Sequence, residues 1–172
     1  MEGGEQTIKM YGPGYTGMDN IGNSCYMNSV VQVLNSLPEW VDQYYVQGEK
    51  HISTCKRVPS NCFYCQLAKV SWGLHSGKYS EKKTKTIIIN DQEQTEEYQD
   101  AIKPFDFKLL IAENNPDFCS QQQHDALEYL QWLFDRLEKE EPKYGEVIPK
   151  LFDFQLANRM VCTKCGGYKL IN

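Results

Sequence analysis

The chain of 172 residues carries 18 basic and 23 acidic side chains, a formal charge of −5 at pH 7, with 41% hydrophobic and 24% charged residues. These are values of a soluble globular protein, and the length is enough for one domain with a real core. No uninterrupted apolar run exceeds four residues, as in Leu109–Ala112, so no membrane-spanning helix is expected. A pI near 5.2 offers no general basic surface to nucleic acid. Met1–Met10 mixes Glu and Lys and does not read as a secretory signal. Seven cysteines then suggest a reducing compartment, cytosol or nucleus, and their odd number rules out a complete disulfide framework.

In chain order, the turn-rich Gly12–Gly22 segment leads to a helix in which Met27, Val30, Val31 and Leu34 share a face. Asn23 or Ser24 can cap its start, and Pro38 closes it. A second helix is expected from about Cys62 to His75, with Phe63, Leu67, Val70 and Leu74 on one side and Ser76-Gly77 as its stop. Residues 80–100 read as a long polar loop in which Ile87–Ile89 can form a short strand. This stretch includes Asp91, Glu93, Glu96, Glu97 and Asp100, the equivalent of the whole net charge, and reads as solvated. Pro104 suits the start of a third helix aligning Ile102, Phe105, Leu109 and Ala112. The strongest periodicity runs from about Gln122 to Glu140, with Ala126, Leu127, Leu130, Leu133, Phe134 and Leu137 as its stripe and Pro142 as its end. Tyr129, Trp132 and Phe134 read as core or cleft wall. Phe152, Phe154 and Leu156 then alternate with polar or small residues, as in a half-buried strand, and lead to the Cys162-x-x-Cys165 knuckle.

Cys25 opens the first helix, where free backbone N–H groups and the helix dipole favour a thiolate. A nucleophile is one reading; a small buried core residue is the other. Asn20 is either a turn former or an amide donor to a developing oxyanion. His51-x3-Cys55-x6-Cys62-x2-Cys65 supplies one imidazole and three thiols, a tetrahedral zinc set, against the alternative of free thiols and a surface histidine. Four protein ligands would make such a site structural rather than catalytic.

Gly17-Met18-Asp19-Asn20-Ile21-Gly22-Asn23-Ser24-Cys25-Tyr26-Met27-Asn28-Ser29 resembles the cysteine box of the ubiquitin-specific proteases. Gln123-His124-Asp125-Ala126-Leu127-Glu128-Tyr129-Leu130 resembles the family's second box, with Tyr129 at a position usually held by Phe. Gly12–Gly17, Asn35–Pro38 and Leu74–Ser80 are most similar to the isopeptidase T branch. The resemblance implies an α+β chain, the mainly helical lobe of a papain-like cysteine protease followed by the first strands of a β fingers region. Residues 1–13 would be a lead-in, 14–145 the helical lobe with a polar insertion near 80–100, and 146–172 the start of the fingers. It implies a deubiquitinase acting at the ubiquitin C-terminus, with unanchored polyubiquitin as substrate class. Carried over by position, Cys25 is the nucleophile, Asn20 the oxyanion donor, and Gln32, Gln123, Asp125 and Glu128 support the cleft and the ubiquitin tail. In the family the general-base histidine lies downstream of the knuckle, so the chain is expected to be the N-terminal half of a catalytic domain. His75 and His124 then read as structural, and Cys162 and Cys165 as half of a second zinc site. The competing reading is a non-catalytic, zinc-stabilised ubiquitin-binding or adaptor module. Neither reading sets the oligomeric state.

Overall fold

The computed structural model describes residues 8–141 and 147–171. Pro142, Asn172 and the first seven residues lie outside the described residues.

β1 (Gly17–Met18) leads through a tight turn into α1 (Cys25–Leu34). α2 (Pro38–Trp40), a π-helical turn (Val41–Val46) and α3 (Gly48–Thr54) follow almost without interruption. The turn is wound wide, with Gln47 N–H reaching back to the Asp42 carbonyl at 3.0 Å. Short apolar spacings hide this stretch from periodicity, and it was not singled out in the sequence. α4 (Phe63–His75) occupies the predicted second-helix position and ends where Gly77 takes a positive φ of 78°. α4 runs through the interior, burying Phe63, Leu67, Val70 and Leu74 as well as Tyr64, Cys65 and Ala68. Trp40 packs on it from α2 and donates its indole N–H to Ser71 Oγ at 3.0 Å.

The polar segment is a hairpin rather than a loop. β2 (Lys83–Ile89) pairs antiparallel with β3 (Gln92–Tyr98) across the Asn90-Asp91 turn, whose φ values of 52° and 60° are those of a primed turn. Its acidic residues are partly neutralised by lysines just upstream. Lys85 pairs with Glu96 at 3.0 Å, Lys82 with Glu97 at 2.5 Å, and Lys83 with Asp100. The hairpin root continues into β4 (Ala101–Ile102), which lies parallel to β1 in the register Gly17↔Ala101 and Met18↔Ile102.

α5 (Phe105–Ala112) buries Phe107, Ile111 and Ala112, while Phe105 and Leu109 are 54% and 67% exposed. Of the predicted alignment of Ile102, Phe105, Leu109 and Ala112, Ile102 lies in β4 and is buried, Ala112 is buried at the end of α5, and Phe105 and Leu109 face outward. α6 (Pro116–Cys119) leads to the segment before α7 (Ala126–Glu140). α7 lies against α1 and buries Tyr129, Leu133 and Leu137. Arg136, also on the inner face, is 7% exposed and holds the end of α5. Its guanidinium donates to the carbonyls of Leu110 at 3.3 Å and Glu113 at 3.4 Å. Trp132, half-buried, donates to the Ile111 carbonyl at 2.7 Å, and Phe134 meets Phe152 at 5.2 Å.

α8 (Val147–Lys150) anchors through buried Ile148. The strand expected at Phe152–Leu156 does not form: Phe154 and Leu156 are 78% and 76% exposed. Pairing begins later, where β5 (Asn158–Val161) and β6 (Tyr168–Ile171) form a hairpin around the Cys162/Cys165 turn. The architecture is thus a mainly helical lobe with three two-stranded sheets among the described residues. No helix among them is long and apolar enough to cross a membrane.

Gly48 sets the approach of α3 to α4. A Cβ at this position would lie 2.8 Å from the Ala68 Cβ, which has no freedom to retreat. Gly48→Ala is expected to destabilise the fold by about 1–3 kcal/mol in urea denaturation, because two fixed backbones must separate.

Candidate active site and metal cluster

Cys25 is the first residue of α1 and its side chain is exposed. The turn that delivers it is pinned by Ser24, which is fully buried. Ser24 precedes the helix as expected, but its side chain does not cap α1. Its Oγ instead accepts from Ile21 N–H at 3.0 Å, while Ser24 N–H and Oγ–H donate to Asn20 Oδ1 at 2.9 and 3.3 Å. Oδ1 takes both, which leaves Nδ2 as the donor end of the Asn20 amide. Asn20 itself is exposed. Asn23 completes the turn at φ 47°, a conformation that Asn tolerates better than most side chains. One turn into α1, Asn28 Nδ2 donates to the Asp19 carbonyl at 3.1 Å, and Gln32 Nε2 reaches the Thr16 carbonyl at 3.2 Å. Both tie α1 back to the strand that precedes Asn20.

The second motif meets the first. Asn23 Nδ2 donates to the Gln121 carbonyl at 2.9 Å, joining positions 98 apart. Lys108 Nζ, from α5, donates to the Gly22 carbonyl at 3.3 Å. His124 is wedged edge-on against Tyr26 and Phe118, at ring separations of 5.3 and 5.2 Å, and its Nε2 lies 3.1 Å from Ser120 Oγ. Tyr129 packs on the same Tyr26 ring at 5.3 Å. Burial is the main cause that raises the Tyr26 phenol, with the Cys25 and Cys119 thiols adding to it. Asp125 caps α7, its Oδ1 accepting from Leu127 N–H at 2.7 Å and Glu128 N–H at 3.2 Å. Gln123 and Glu128 are also exposed. Farther along α1, that helix and α7 frame an apolar cavity of about 300 Å³ whose walls include Val33, Leu127 and Leu130.

At the other end of α4, His51, Cys55, Cys62 and Cys65 bring one ligand atom each to within 4.8 Å of one another. The set joins the helical turn of α3 to the start of α4. His51 stacks on Tyr64 at 4.2 Å, Cys55 ends α3, Cys62 precedes α4, and Cys65 is wholly buried in its first turn. Cys55 Sγ and Cys62 Sγ are 3.7 Å apart, far beyond a disulfide, and Cys62 Sγ is 3.5 Å from His51 Nε2. Tetrahedral ligation with bonds of about 2.3 Å to sulfur and 2.0–2.1 Å to nitrogen needs separations of about 3.8 and 3.6 Å. These two separations match tetrahedral ligation, and the four donors are close enough to hold a metal ion. Burial, aided by the Arg57 charge, keeps His51 below its ordinary pKa. A backbone N–H of Arg57 lowers the Cys55 thiol, whereas burial pushes Cys65 up to about 12.

Cys162 and Cys165 sit exposed in the β5–β6 turn, which Cys162 N–H closes onto the Gly167 carbonyl at 2.8 Å. Backbone N–H groups of Cys165 and Lys164 lower the Cys162 thiol. Among the described residues no further donor joins this pair in a cluster of three or more. His75 Nε2 lies 3.0 Å from the Asn35 carbonyl, in the last turn of α4.

Residues 16–170 match the ubiquitin carboxyl-terminal hydrolase family. The chain belongs to that family. Ubiquitin carboxyl-terminal hydrolase 5 of Homo sapiens is 36% identical over 161 residues, 94% of this chain and 19% of the relative. Ubiquitin carboxyl-terminal hydrolase 14 of Schizosaccharomyces pombe is 34% identical over 157 residues, 91% of this chain and 20% of the relative. The chain thus spans about a fifth of the curated hydrolases it matches. In fold it is similar to the SAGA Ubp8/Sgf11/Sus1/Sgf73 DUB module bound to ubiquitin aldehyde, with a TM-score of 0.53 and 20% identity over 92% of this chain and 33% of that one. Membership in the hydrolase family accords with the meeting of the Cys25 and Gln123–Leu130 segments, which the sequence alone presented as separate words.

The N-cap at Asp125 yields a direct check. Asp125→Ala is expected to cost about 0.5–2 kcal/mol in chemical denaturation, while Asp125→Asn retains most of the stability because its side-chain oxygen still accepts.

Proposed function

We propose that this chain is the nucleophile-bearing lobe of a thiol-dependent deubiquitinase that cleaves bonds to the C-terminus of ubiquitin, with unanchored polyubiquitin as its substrate class. The carrying observation is the exposed Cys25 at the start of α1, beside an Asn20 amide whose Oδ1 is tied down by Ser24. In this reading Cys25 Sγ attacks the carbonyl carbon of the terminal ubiquitin residue. Asn20 Nδ2 donates to the oxyanion that forms, and collapse expels the amine and leaves a thioester. Water then hydrolyses the thioester and frees the thiol. Gln123, Asp125 and Glu128 would flank the incoming ubiquitin tail, with Gln32 supporting the cleft from α1.

The general base is proposed to come from outside these 172 residues, since each imidazole here is otherwise engaged. His51 is in the metal cluster, His75 is at the Asn35 carbonyl, and His124 is wedged between rings. A reducing compartment, cytoplasmic or nuclear, suits a chain whose described cysteines are all free.

For the cluster of His51, Cys55, Cys62 and Cys65 we propose structural zinc. Four protein donors leave no position for substrate, and the ion would pin α3 to α4. Cys162 and Cys165 would be half of a second zinc site.

Two experiments test these readings. The full-length protein is expected to cleave unanchored di-ubiquitin; Cys25→Ala abolishes this, and Asn20→Ala lowers kcat about 10²–10³-fold with little change in KM. A folded full-length protein that binds ubiquitin and cleaves nothing would instead favour the adaptor reading. Metal analysis of the purified chain is expected to give about one zinc per molecule, lost in Cys65→Ser together with a fall in Tm. Less than about half an equivalent would overturn the zinc site.

A further inference from the structure

The turn between β1 and α1 is fastened by a side chain to which the chemistry of Cys25 and Asn20 gives no part. Lys108 stands half-buried in α5, next to the interior residue Phe107, and its Nζ donates to the Gly22 carbonyl at 3.3 Å across 86 positions of chain. The ammonium forms no ion pair among the described residues, so this carbonyl is the partner the fold gives it. α5 is itself a fixed post, since Trp132 donates to the Ile111 carbonyl and Arg136 to those of Leu110 and Glu113.

The carbonyl that Lys108 holds belongs to the softest peptide of the turn. Gly22 and Asn23 take positive φ values of 101° and 47° in succession. Glycine adopts such values freely, whereas an L-residue such as Asn23 favours negative φ. A flip of the Gly22–Asn23 peptide plane changes only Gly22 ψ and Asn23 φ, and it returns Asn23 to negative φ. Local stereochemistry therefore pulls toward the flipped plane, and side-chain contacts must hold the observed one. Two of them grip this peptide: Lys108 on the Gly22 carbonyl, and Asn23 Nδ2 on the Gln121 carbonyl at 2.9 Å. The peptide lies inside the loop that Ser24 N–H closes onto Asn20 Oδ1 at 2.9 Å, and the preceding Ile21 N–H donates to Ser24 Oγ at 3.0 Å. A flip would disturb the bonds that orient Asn20.

We propose that Lys108 is a positioning residue for the reaction assigned to Cys25, its ammonium fixing the Gly22–Asn23 peptide so that Asn20 Nδ2 is held for the oxyanion. The proposal rests on the reading of Cys25 as nucleophile and Asn20 as oxyanion donor. Lys108 acts through the turn and not on the substrate, so its effect belongs to the transition state and is shared with Asn20.

The test uses the full-length protein and unanchored di-ubiquitin. Lys108→Met, which keeps the length of the side chain and removes the donor, is expected to lower kcat about tenfold, the scale of one hydrogen bond, with KM and Tm unchanged. Affinity for ubiquitin aldehyde, whose adduct with the thiol is tetrahedral, falls by a similar factor, and affinity for unmodified ubiquitin does not. Lys108→Arg restores kcat, because a guanidinium still donates. Alkylation of Cys25 by iodoacetamide, which develops no oxyanion, keeps its rate in Lys108→Met. In an Asn20→Ala background Lys108→Met costs nothing further. An active protein in which Lys108→Met leaves kcat unchanged, or lowers it equally with and without Asn20, overturns this proposal and leaves the assignment of Cys25 standing. A folded wild-type protein that cleaves nothing overturns both.

Discussion

Ser24 is the residue on which the arrangement around Cys25 depends. It is buried, its Oγ takes the Ile21 N–H, and its own N–H and hydroxyl close onto Asn20 Oδ1. A buried donor or acceptor left without a partner costs about 1–3 kcal/mol, so these bonds hold the turn in one shape. That shape places an exposed thiol at the head of α1 and leaves Nδ2 as the donor end of the Asn20 amide. Exposure is thereby separated from packing: Ser24 and Tyr26 are buried on either side of Cys25, and the thiol is left exposed.

Long-range contacts carry the same constraint outward. Asn23 is bonded to the Gln121 carbonyl and Gly22 to Lys108, so the turn is held by α5 and by the loop before α7. Tyr26 gathers Phe118, His124 and Tyr129 around it, joining α1 to α6 and α7 through aromatic edges. From the other side, β4 lies beside β1, and Asp19 N–H donates to the Ile102 carbonyl at 2.9 Å. The β2–β3 hairpin therefore has its root on the strand that delivers Asn20. Likewise, α4 links the apolar interior to the His/Cys cluster, since Gly48 allows α3 to lie close enough to bring His51 and Cys55 to Cys62 and Cys65.

Much of this was legible in the residues. The helices at α1, α4 and α7 announced themselves through apolar spacing, and the His51–Cys65 spacing foretold a cluster because the four ligands lie close together along the chain. The two boxes showed their order but not their contact, since the Asn23–Gln121 bond is a product of the whole fold. The misreadings have physical causes. In residues 83–98 the Ile87–Ile89 run does lie in a strand, but the remaining residues are polar and no buried stripe marks the full hairpin; cross-strand ion pairs and a left-handed Asn-Asp turn hold it. Phe152, Phe154 and Leu156 alternate as strand residues do, yet pair with no strand among the described residues. In α5 two apolar faces compete, and Phe107 and Ile111 take the interior. Asp125, singled out by its motif, also does ordinary work as the cap of α7.

The most direct test of the central claim is to treat the full-length protein with ubiquitin bearing an electrophile at its C-terminus and to locate the adduct by mass spectrometry. The account predicts one stoichiometric adduct on Cys25, absent in Cys25→Ala and competed by free ubiquitin. Failure to label the folded protein, or an adduct on Cys119 or another exposed thiol with Cys25 unmodified, would contradict it.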